Sequence, residues 1–297
     1  MAANFVFLTD THHYPGAPED YGAPKMLTRS QEVLDAIPPA VNRLNPEFIV
    51  HGGDLVCGGG SFDLPWETYL KSIDEVSTAF SQFQSPSHYI PGNHDCDAQN
   101  GSFEAIAKKI KIPDVLDIVD VSPSLRLALA NIYHSGNPIE DANGTWTDEL
   151  DTALRLAAEK ALADRCALIL FIHTWVIPDY EVGKGTINCA GRLLDTIITH
   201  PAIIAVFTGH RHRNRIQAVR DFLVVDTAYL IGFPLGFRQI HLSDDGMFTA
   251  TFHQLDQPDL LQAAYNMSSP EANNRWQGEL YDRDTEILIP RLKEIWS

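Results

Sequence analysis

The sequence predicts a single α/β domain built around a β-sheet, because short apolar runs alternate with amphipathic stretches along most of the 297 residues. Neither internal repeats nor long Gly/Ser linkers divide this domain. Its composition is typical of a soluble globular protein, with 44% hydrophobic and 21% charged residues. We assign residues 1–257 to the domain, and residues 258–297, whose pattern is polar and helical, to a C-terminal helical tail.

Three predicted strands and two helices between them make up the first third of the chain. The strands are short apolar runs that end in polar residues, over 4–9, 48–50 and 88–90. Helical spacing of apolar residues predicts the helices over 27–44 and 66–83. Pro38 and Pro39 should kink or restart the first helix, because proline lacks an N–H and clashes with the preceding turn.

The alternation of strands and helices continues in the rest of the chain. Thr147 is a predicted N-cap, with Asp148 and Glu149 in the first turn of a helix that ends near Ala163. A further helix is expected over 190–199, between two buried strands. The predicted strands are 125–133, 167–172 and 203–207, followed beyond Arg215 by 222–225, 238–242 and 248–253.

The formal net charge of −17 restricts the classes of partner. An acidic surface repels phosphate backbones and anionic lipids, so we expect neither nucleic acid nor a membrane as a partner. A small phosphorylated substrate is compatible with this charge, because bound cations would reverse the local field. The four cysteines are widely spaced, which argues against a disulfide framework or a zinc knuckle.

The same sequence features bear on location. The most apolar run, residues 166–172, is far shorter than the roughly 20 residues that cross a bilayer. The amino terminus lacks the basic segment of a signal peptide and passes directly into a predicted strand. We therefore expect a cytoplasmic protein, and the sequence leaves open whether it forms a homo-oligomer.

Five polar clusters each follow a predicted strand. They are Asp10-Thr11-His12, Gly53-Asp54, Gly92-Asn93-His94-Asp95, His173 and Gly209-His210-Arg211-His212. Because ligand sites of α/β sheets lie at strand ends on one edge, these clusters converge if their strands are neighbours. In extended backbone, residues two apart point to the same side, so the pairs Asp10/His12 and His210/His212 should each face one site.

The clusters supply the donors that a two-metal site needs. Two divalent cations about 3.5–4 Å apart require a bridging carboxylate and several further nitrogen or oxygen ligands. The candidate metal ligands are Asp10, His12, Asp54, Asn93, His173, His210 and His212. Imidazole, carboxylate and amide oxygen favour zinc, iron or manganese over calcium. Such a centre requires Asp10, His173 and His212 to lie within about 10 Å of one another.

Taken singly, each cluster also has an ordinary structural explanation. Gly-Asn-His-Asp is compatible with a plain loop after Pro91, and His173 with a hydrogen-bonded core histidine. His210 and His212 are compatible with exposed turn residues. The occurrence of all five clusters at strand ends favours a functional site.

With these motifs, the sequence resembles the calcineurin-like metallophosphoesterase superfamily from about Phe5 to His253. The shared pattern is D-x-H, G-D, G-N-H-D, H and G-H-x-H, in this order. The spacing from His173 to the last motif, together with His200-Pro201, is most similar to bacterial class III cyclic-nucleotide phosphodiesterases. The resemblance implies a four-layer α/β/β/α sandwich.

The resemblance also implies how the ligands divide and what the site does. One metal ion would be held by Asp10, His12, Asp54 and His212, and the other by Asp54, Asn93, His173 and His210. A hydroxide that bridges the two ions would attack phosphorus. His94 would protonate the leaving oxygen or stabilise the phosphoryl group, and Asp95 would orient the ring of His94.

Two departures from related patterns bear on the substrate. The arginine that many cyclic-nucleotide members carry shortly after Gly-Asn-His-Asp is missing, and Cys57 stands where purple acid phosphatases have a tyrosine ligand. We predict a hydrolase of a small phosphoester, first a phosphodiester such as a cyclic nucleotide or a glycerophosphodiester. A phosphomonoesterase on the same core and a non-catalytic scaffold of this fold are the alternatives, and the acidic charge disfavours a nuclease.

Overall fold

Two six-stranded β-sheets form the centre of the protein. The computed structural model describes residues 2–21, 23–58, 62, 64–96, 102–133, 142–178 and 185–297. The strands are β1 (Ala3–Leu8), β2 (Phe48–His51), β3 (Ser87–Tyr89), β4 (Leu116–Ser122), β5 (Leu125–Ala130), β6 (Ala167–Phe171), β7 (Ile203–Thr208), β8 (Arg215–Val219), β9 (Phe222–Asp226), β10 (Gly236–Leu242), β11 (Met247–Gln254) and β12 (Thr285–Leu288). The helices are α1 (Ser30–Asn42), α2 (Trp66–Phe80), α3 (Ser102–Ala107), α4 (Asp148–Ala163), α5 (Ala190–Thr199), α6 (Pro258–Asn266), α7 (Pro270–Gln277), α8 (Leu280–Arg283) and α9 (Pro290–Trp296).

The strand order brings several carboxyl ends to one edge of each sheet. The first sheet has the order β12-β11-β10-β1-β2-β3, and the second has the order β4-β5-β6-β7-β9-β8. The strands β1, β2 and β3 are parallel to one another, as are β5, β6, β7 and β9. The loops after parallel strands leave the sheet at the same edge, which is where α/β proteins place their ligand sites.

Alternate side chains of the central strands face different layers. On β1, Phe5 and Phe7 pack against the second sheet, whereas Val6 and Leu8 pack against α1 and α2. The side chains of β6 alternate in the same way, between the first sheet and the pair α4 and α5. The fold is therefore the four-layer α/β/β/α sandwich that the family resemblance implies, and this prediction is confirmed.

Most predicted elements are present, with small differences in their bounds. The helix predicted over 190–199 is α5, and Thr147 caps α4 by accepting a hydrogen bond from the Leu150 N–H at 3.2 Å. Helix α1 continues through Pro38 and Pro39 as one helix, so the restart does not occur. None of the helices in the described part of the chain is both long and apolar enough to cross a membrane.

The strands β4, β8 and β12 are not among the predicted ones. Each lies at an edge of its sheet and is partly exposed, so its sequence lacks the continuous apolar run of a buried strand. The strand β12 lies in the segment that was expected to be helical, and it pairs with β11. Leu292 and Trp296 of α9 pack between the two sheets, so the C-terminal segment contributes to the main core.

Candidate metal centre

The seven candidate ligands lie in loops that leave the ends of central strands. Asp10, His12, Asp54 and Asn93 follow β1, β2 and β3 of the first sheet, whereas His173, His210 and His212 follow β6 and β7 of the second. The two sheets pack face to face through the core between them. The site therefore forms where both sheets end, and each sheet supplies part of it.

Five of these ligands have a left-handed backbone conformation. Their φ angles are 57° at Asp10, 43° at His12, 53° at Asp54, 65° at His210 and 56° at His212. Asp and His adopt left-handed φ angles more readily than most residues. Five such residues in one site nevertheless indicate backbone strain, which the surrounding contacts must stabilise. The expectation that the Asp-x-His and His-x-His pairs face the site from extended backbone is wrong, because left-handed turns direct these side chains.

Two buried carboxylates bring the imidazoles together. The Oδ1 atom of Asp10 lies 3.5 Å from His12 Nε2, 3.9 Å from His173 Nε2 and 3.2 Å from His212 Nε2. The Oδ2 atom of Asp54 lies 3.4 Å from His12 Nε2 and 3.2 Å from His173 Nε2. These separations are well within the roughly 10 Å that convergence on a two-metal centre allows.

Two sets of donor atoms have the spacing of metal ligands. Asp10, His12 and His212 form what we term the Asp10 group, and Asp54, His173 and His210 form the His173 group. Within each group the donor atoms lie within 4.8 Å of one another. A third set of His12, Asp54 and His94 shares one residue with each group. The two groups are therefore adjacent, and Asp54 contacts both.

Hydrogen bonds hold the second oxygen of each carboxylate. Thr9 Oγ1 donates to Asp10 Oδ2 at 2.6 Å, and the His210 N–H donates to the same oxygen at 3.1 Å. The His94 N–H donates to Asp54 Oδ1 at 2.8 Å. Each carboxylate thus has one oxygen fixed by the protein and the other directed at the imidazoles.

The imidazoles of the His173 group are oriented by their other ring nitrogen. His173 Nδ1 donates to the Gly52 carbonyl at 2.7 Å, so its Nε2 atom is the ring nitrogen on the side of the carboxylates. The amide oxygen of Asn93 lies 3.0 Å from Nδ1 of His210. Donation of one ring N–H to a carbonyl is the usual way in which proteins orient a metal-binding histidine.

Burial and the two carboxylates determine the protonation of the site. Burial lowers the pKa of His12 to about 4 and that of His210 to about 3, so both rings are neutral near pH 7. Burial also acts to lower the pKa of His173, but the charges of Asp54 and Asp10 outweigh it and raise this pKa to about 9. The negative charges of the two carboxylates therefore strongly favour a positively charged group between them.

The donor set fits divalent metal ions. Among the described residues, Nδ1 and Nε2 of His12 and Nε2 of His173 are buried and make no hydrogen bond of favourable geometry, although both Nε2 atoms face the carboxylates. Buried polar atoms nearly always have a partner, so these nitrogens indicate that His12 and His173 are ligands, each through one ring nitrogen, rather than parts of the core packing. Imidazole and carboxylate donors without a thiolate suit zinc, iron or manganese.

Asp95 has a different contact from the predicted one. Its Oδ1 atom accepts hydrogen bonds from the Leu55 N–H at 2.9 Å and the Val56 N–H at 3.1 Å, and its Oδ2 atom accepts from the Gly92 N–H at 2.9 Å. The carboxylate is fully buried and ties the loop after β2 to the loop after β3. The prediction that Asp95 orients the ring of His94 is wrong, because backbone donors occupy both oxygens.

His94 lies beside the Asp10 group in a cluster of rings. Its ring centroid is 4.8 Å from that of His12 and 5.2 Å from that of Phe62. Its Nδ1 atom is buried and has no hydrogen-bond partner in the described part of the chain. His94 therefore borders the ligand groups with a polar atom available for a further contact.

Four residues near the site are missing from the sequence motifs. The ring of Tyr229 stacks on that of His212, with centroids 4.3 Å apart and planes 3° apart. Asp226 ends β9 and is fully buried, and burial raises its pKa to about 7. Phe62 and Lys25 lie on the His94 side. The position of Asp226 and Tyr229 after a predicted strand was the one sequence signal for them.

Gly92 is a point of close approach between two loops, and its replacement tests the site. A Cβ atom at Gly92 would collide with the carboxylate and the backbone nitrogen of Asp54. We expect Gly92→Ala to displace Asp54 and to weaken Mn²⁺ binding by about 10-fold to 100-fold, measured by calorimetric titration. Gly191→Ala is the matched control, since a Cβ there meets nothing within 4 Å. Equal Mn²⁺ affinity of the two variants would contradict this account of Gly92.

Comparisons with known proteins bear on the family and the fold. A family model described as calcineurin-like phosphoesterase matches residues 3–214. A solved dimetal phosphatase from Danio rerio is similar with a TM-score of 0.69 and 13% identity, over 86% of this chain and 97% of that one. A putative 5′-nucleotidase from Staphylococcus aureus, solved with alpha-ketoglutarate, has a TM-score of 0.51 and 13% identity, over 82% of this chain and 51% of that one.

A third similar structure is that of an anchor protein. The anchor in the inner membrane complex of Plasmodium has a TM-score of 0.51 and 15% identity, over 90% of this chain and 95% of that one. No curated protein matches the chain at a significant level. The structural likenesses show the fold alone, and the similarity to class III cyclic-nucleotide phosphodiesterases stays a prediction from the sequence.

Proposed function

The chain belongs to the calcineurin-like phosphoesterase family, and we propose that it hydrolyses small phosphoesters at a centre of two metal ions. One observation carries the proposal: Asp54 Oδ2 lies 3.4 Å from His12 Nε2 and 3.2 Å from His173 Nε2, so one carboxylate reaches both ligand groups. A carboxylate shared in this way is what two cations about 3.5–4 Å apart require.

The proposed ligands divide between the two ions as the resemblance implies. Asp10, His12, Asp54 and His212 would hold one ion, and Asp54, Asn93, His173 and His210 would hold the other. Manganese, iron and zinc all suit this donor set. When bound, such a pair of ions lowers the pKa of water toward neutrality and neutralises phosphoryl oxygens. The hydrogen bonds to Asp10, Asp54 and His173 hold these donors in position.

We assign the direct contact with substrate to His94. Burial is the largest cause that lowers the pKa of His94 well below its usual value, so the ring is neutral near pH 7 and carries a single N–H. In this proposal the N–H donates to a phosphoryl oxygen. Proton delivery to the leaving oxygen, the other role expected from the sequence, needs an imidazolium, and burial disfavours that form.

Two substrate classes are compatible with the proposed centre, because diesters and monoesters undergo the same in-line displacement. The sequence favours a diester through its similarity to class III enzymes. The cation Lys25, which contacts the Phe62 ring that also neighbours His94, favours a monoester. A non-catalytic scaffold is the weaker alternative, since all seven candidate ligands and His94 are present and lie together.

Hydrolysis of chromogenic phosphoesters tests the proposal. Protein loaded with Mn²⁺ is expected to release p-nitrophenolate from p-nitrophenyl phosphate or its bis ester, and to lose this activity on chelation. His212→Ala should lower the rate and the metal content, whereas His241→Ala, which changes an exposed histidine of β10, should leave both unchanged. Protein that has been incubated with excess Mn²⁺ and then cleaves neither ester and holds less than one metal ion per chain would refute the proposed function.

A further inference from the structure

Lys25 is a buried cation near the candidate metal centre. Only 5% of its surface is exposed. Its Nζ atom lies 5.7 Å from the ring centroid of Tyr21 and 5.7 Å from that of Phe62. Among the described residues the ammonium group has neither a hydrogen-bond acceptor nor a carboxylate partner, and the other contacts of Lys25 are backbone hydrogen bonds with Tyr21 and Leu27.

An ammonium group without a counterion is costly on a residue that is only 5% exposed, because burial removes a large part of its hydration. The two aromatic rings recover a part of that loss through cation–π attraction. Lysine is almost never this buried in proteins unless it is paired. The remaining loss would be recovered when an anion binds, so Lys25 indicates the position of a negatively charged group of a ligand.

A chain of ring contacts places Lys25 on one side of the centre. The ring of Phe62 is 5.7 Å from Lys25 Nζ and 5.2 Å from the ring of His94, which is 4.8 Å from the ring of His12. In agreement, burial is the largest cause that lowers the pKa of His12, and the charge of Lys25 is the second. Lys25 therefore lies near the Asp10 group and His94, which we assign to substrate binding.

The charge of the substrate phosphoryl group determines how much such a cation contributes to substrate binding. A phosphomonoester has a second pKa of about 6 and carries nearly two negative charges at neutral pH. A phosphodiester carries one negative charge. A fixed cation in a site of low dielectric constant attracts the dianion more strongly than the monoanion.

We propose that the ammonium group of Lys25 binds a non-bridging oxygen of the substrate phosphoryl group and thereby makes the centre favour phosphomonoesters over phosphodiesters. This inference rests on the proposed hydrolytic function and specifies its substrate class. Tyr21 and Phe62 form the apolar sides of the Lys25 position and keep its charge directed at the substrate. Lys25 in this role is a specificity-determining residue, and the proposed metal ligands do not depend on it.

Paired substrates and matched variants test the role of Lys25. In Mn²⁺-loaded protein, Lys25→Met is expected to lower kcat/KM about 30-fold for p-nitrophenyl phosphate and only about 3-fold for bis-p-nitrophenyl phosphate, since a charge-assisted hydrogen bond is lost mainly to the dianion. Lys25→Arg keeps the charge and should retain more of the monoester activity. Lys71→Met, on the exposed face of α2, is the matched control and should leave kcat/KM unchanged for both substrates. An equal loss for both esters in Lys25→Met would overturn the proposal.

Two further measurements separate this inference from a structural role and from failure of the proposed function. Lys25→Met should melt at the same or a higher temperature than the wild type, because methionine replaces a buried unpaired charge, and a clear drop would indicate a structural role instead. Calorimetric titration with inorganic phosphate requires no turnover. A Kd for phosphate about 10-fold weaker in Lys25→Met supports the contact even if neither ester is hydrolysed, and an unchanged Kd overturns it.

Discussion

Replacement of Asp54 with asparagine is expected to lower phosphoester hydrolysis by at least about 1000-fold, or about 4 kcal/mol of transition-state stabilisation, and to release most of the bound metal. Asp54 Oδ2 is the one carboxylate oxygen within 3.4 Å of both His12 Nε2 and His173 Nε2 among the described residues. Asparagine keeps the size of the side chain and can still accept the His94 N–H. The substitution therefore removes the shared charge with little change in packing.

Asp226→Asn is the matched control for this substitution. Asp226 is also fully buried at a strand end near the site, but it is in neither ligand group, and it accepts a hydrogen bond from Thr208 Oγ1 at 3.0 Å. Steady-state kinetics and elemental analysis of both purified variants provide the measurement. If Asp54→Asn retained its metal and full turnover, or if Asp226→Asn lost as much, the two-metal interpretation would fail.

The buried parts of the fold were predictable because buried segments consist largely of apolar residues. Strands such as β6 and β7 are covered on both faces, so every residue except the terminal Thr208 is apolar and the run is visible in the sequence. The edge strands β4, β8 and β12 pair on one side only and are partly exposed, so their sequences resemble ordinary surface segments. The pairing of β12 with β11 depends on contacts that are distant in sequence, which local patterns do not encode.

The positions of the candidate ligands were predictable for a related reason. Each motif follows a predicted strand, and parallel strands bring such loops to one edge, so Asp10, Asp54 and His173 were expected together. The local backbone was not predictable, since left-handed φ angles at Asp10 and His12 arise from tertiary contacts. Asp95 shows the limit of motif analogy, because its carboxylate binds backbone N–H groups and not the neighbouring ring.

Residues that belong to no motif could not be assigned to the site from the sequence. Lys25 and Phe62 are separated by 36 intervening residues in the printed sequence, and only the fold brings the ammonium group within 5.7 Å of the ring. Tyr229 likewise stacks on His212 from a different loop. The candidate ligands are thus encoded in local patterns, whereas the residues proposed to select the substrate depend on tertiary packing.

Arg238 joins the C-terminal segment to the loops that carry the site. It is fully buried, and its guanidinium group donates to side-chain and carbonyl acceptors from three separate segments. The acceptors are Thr227 Oγ1 at 3.0 Å, Asn214 Oδ1 at 2.9 Å, and the carbonyls of Asp226 at 3.0 Å, Asp282 at 2.7 Å and Arg283 at 3.2 Å. Helix α8, which lies in the C-terminal segment, is therefore held against the loop after β9, where Tyr229 stacks on His212.

Arg238→Met should therefore destabilise the protein and loosen the site at the same time. Methionine fills much of the space but leaves buried acceptors without donors, so the free energy of unfolding is expected to fall by about 3–5 kcal/mol. Loss of support for Tyr229 should also weaken Mn²⁺ binding, because the ring of His212 is no longer held against its neighbour. Urea unfolding and Mn²⁺ titration measure the two effects, with Arg275→Met, on an exposed position of α7, as the control. A variant within about 0.5 kcal/mol of the wild type would show that the C-terminal segment does not support the site through Arg238.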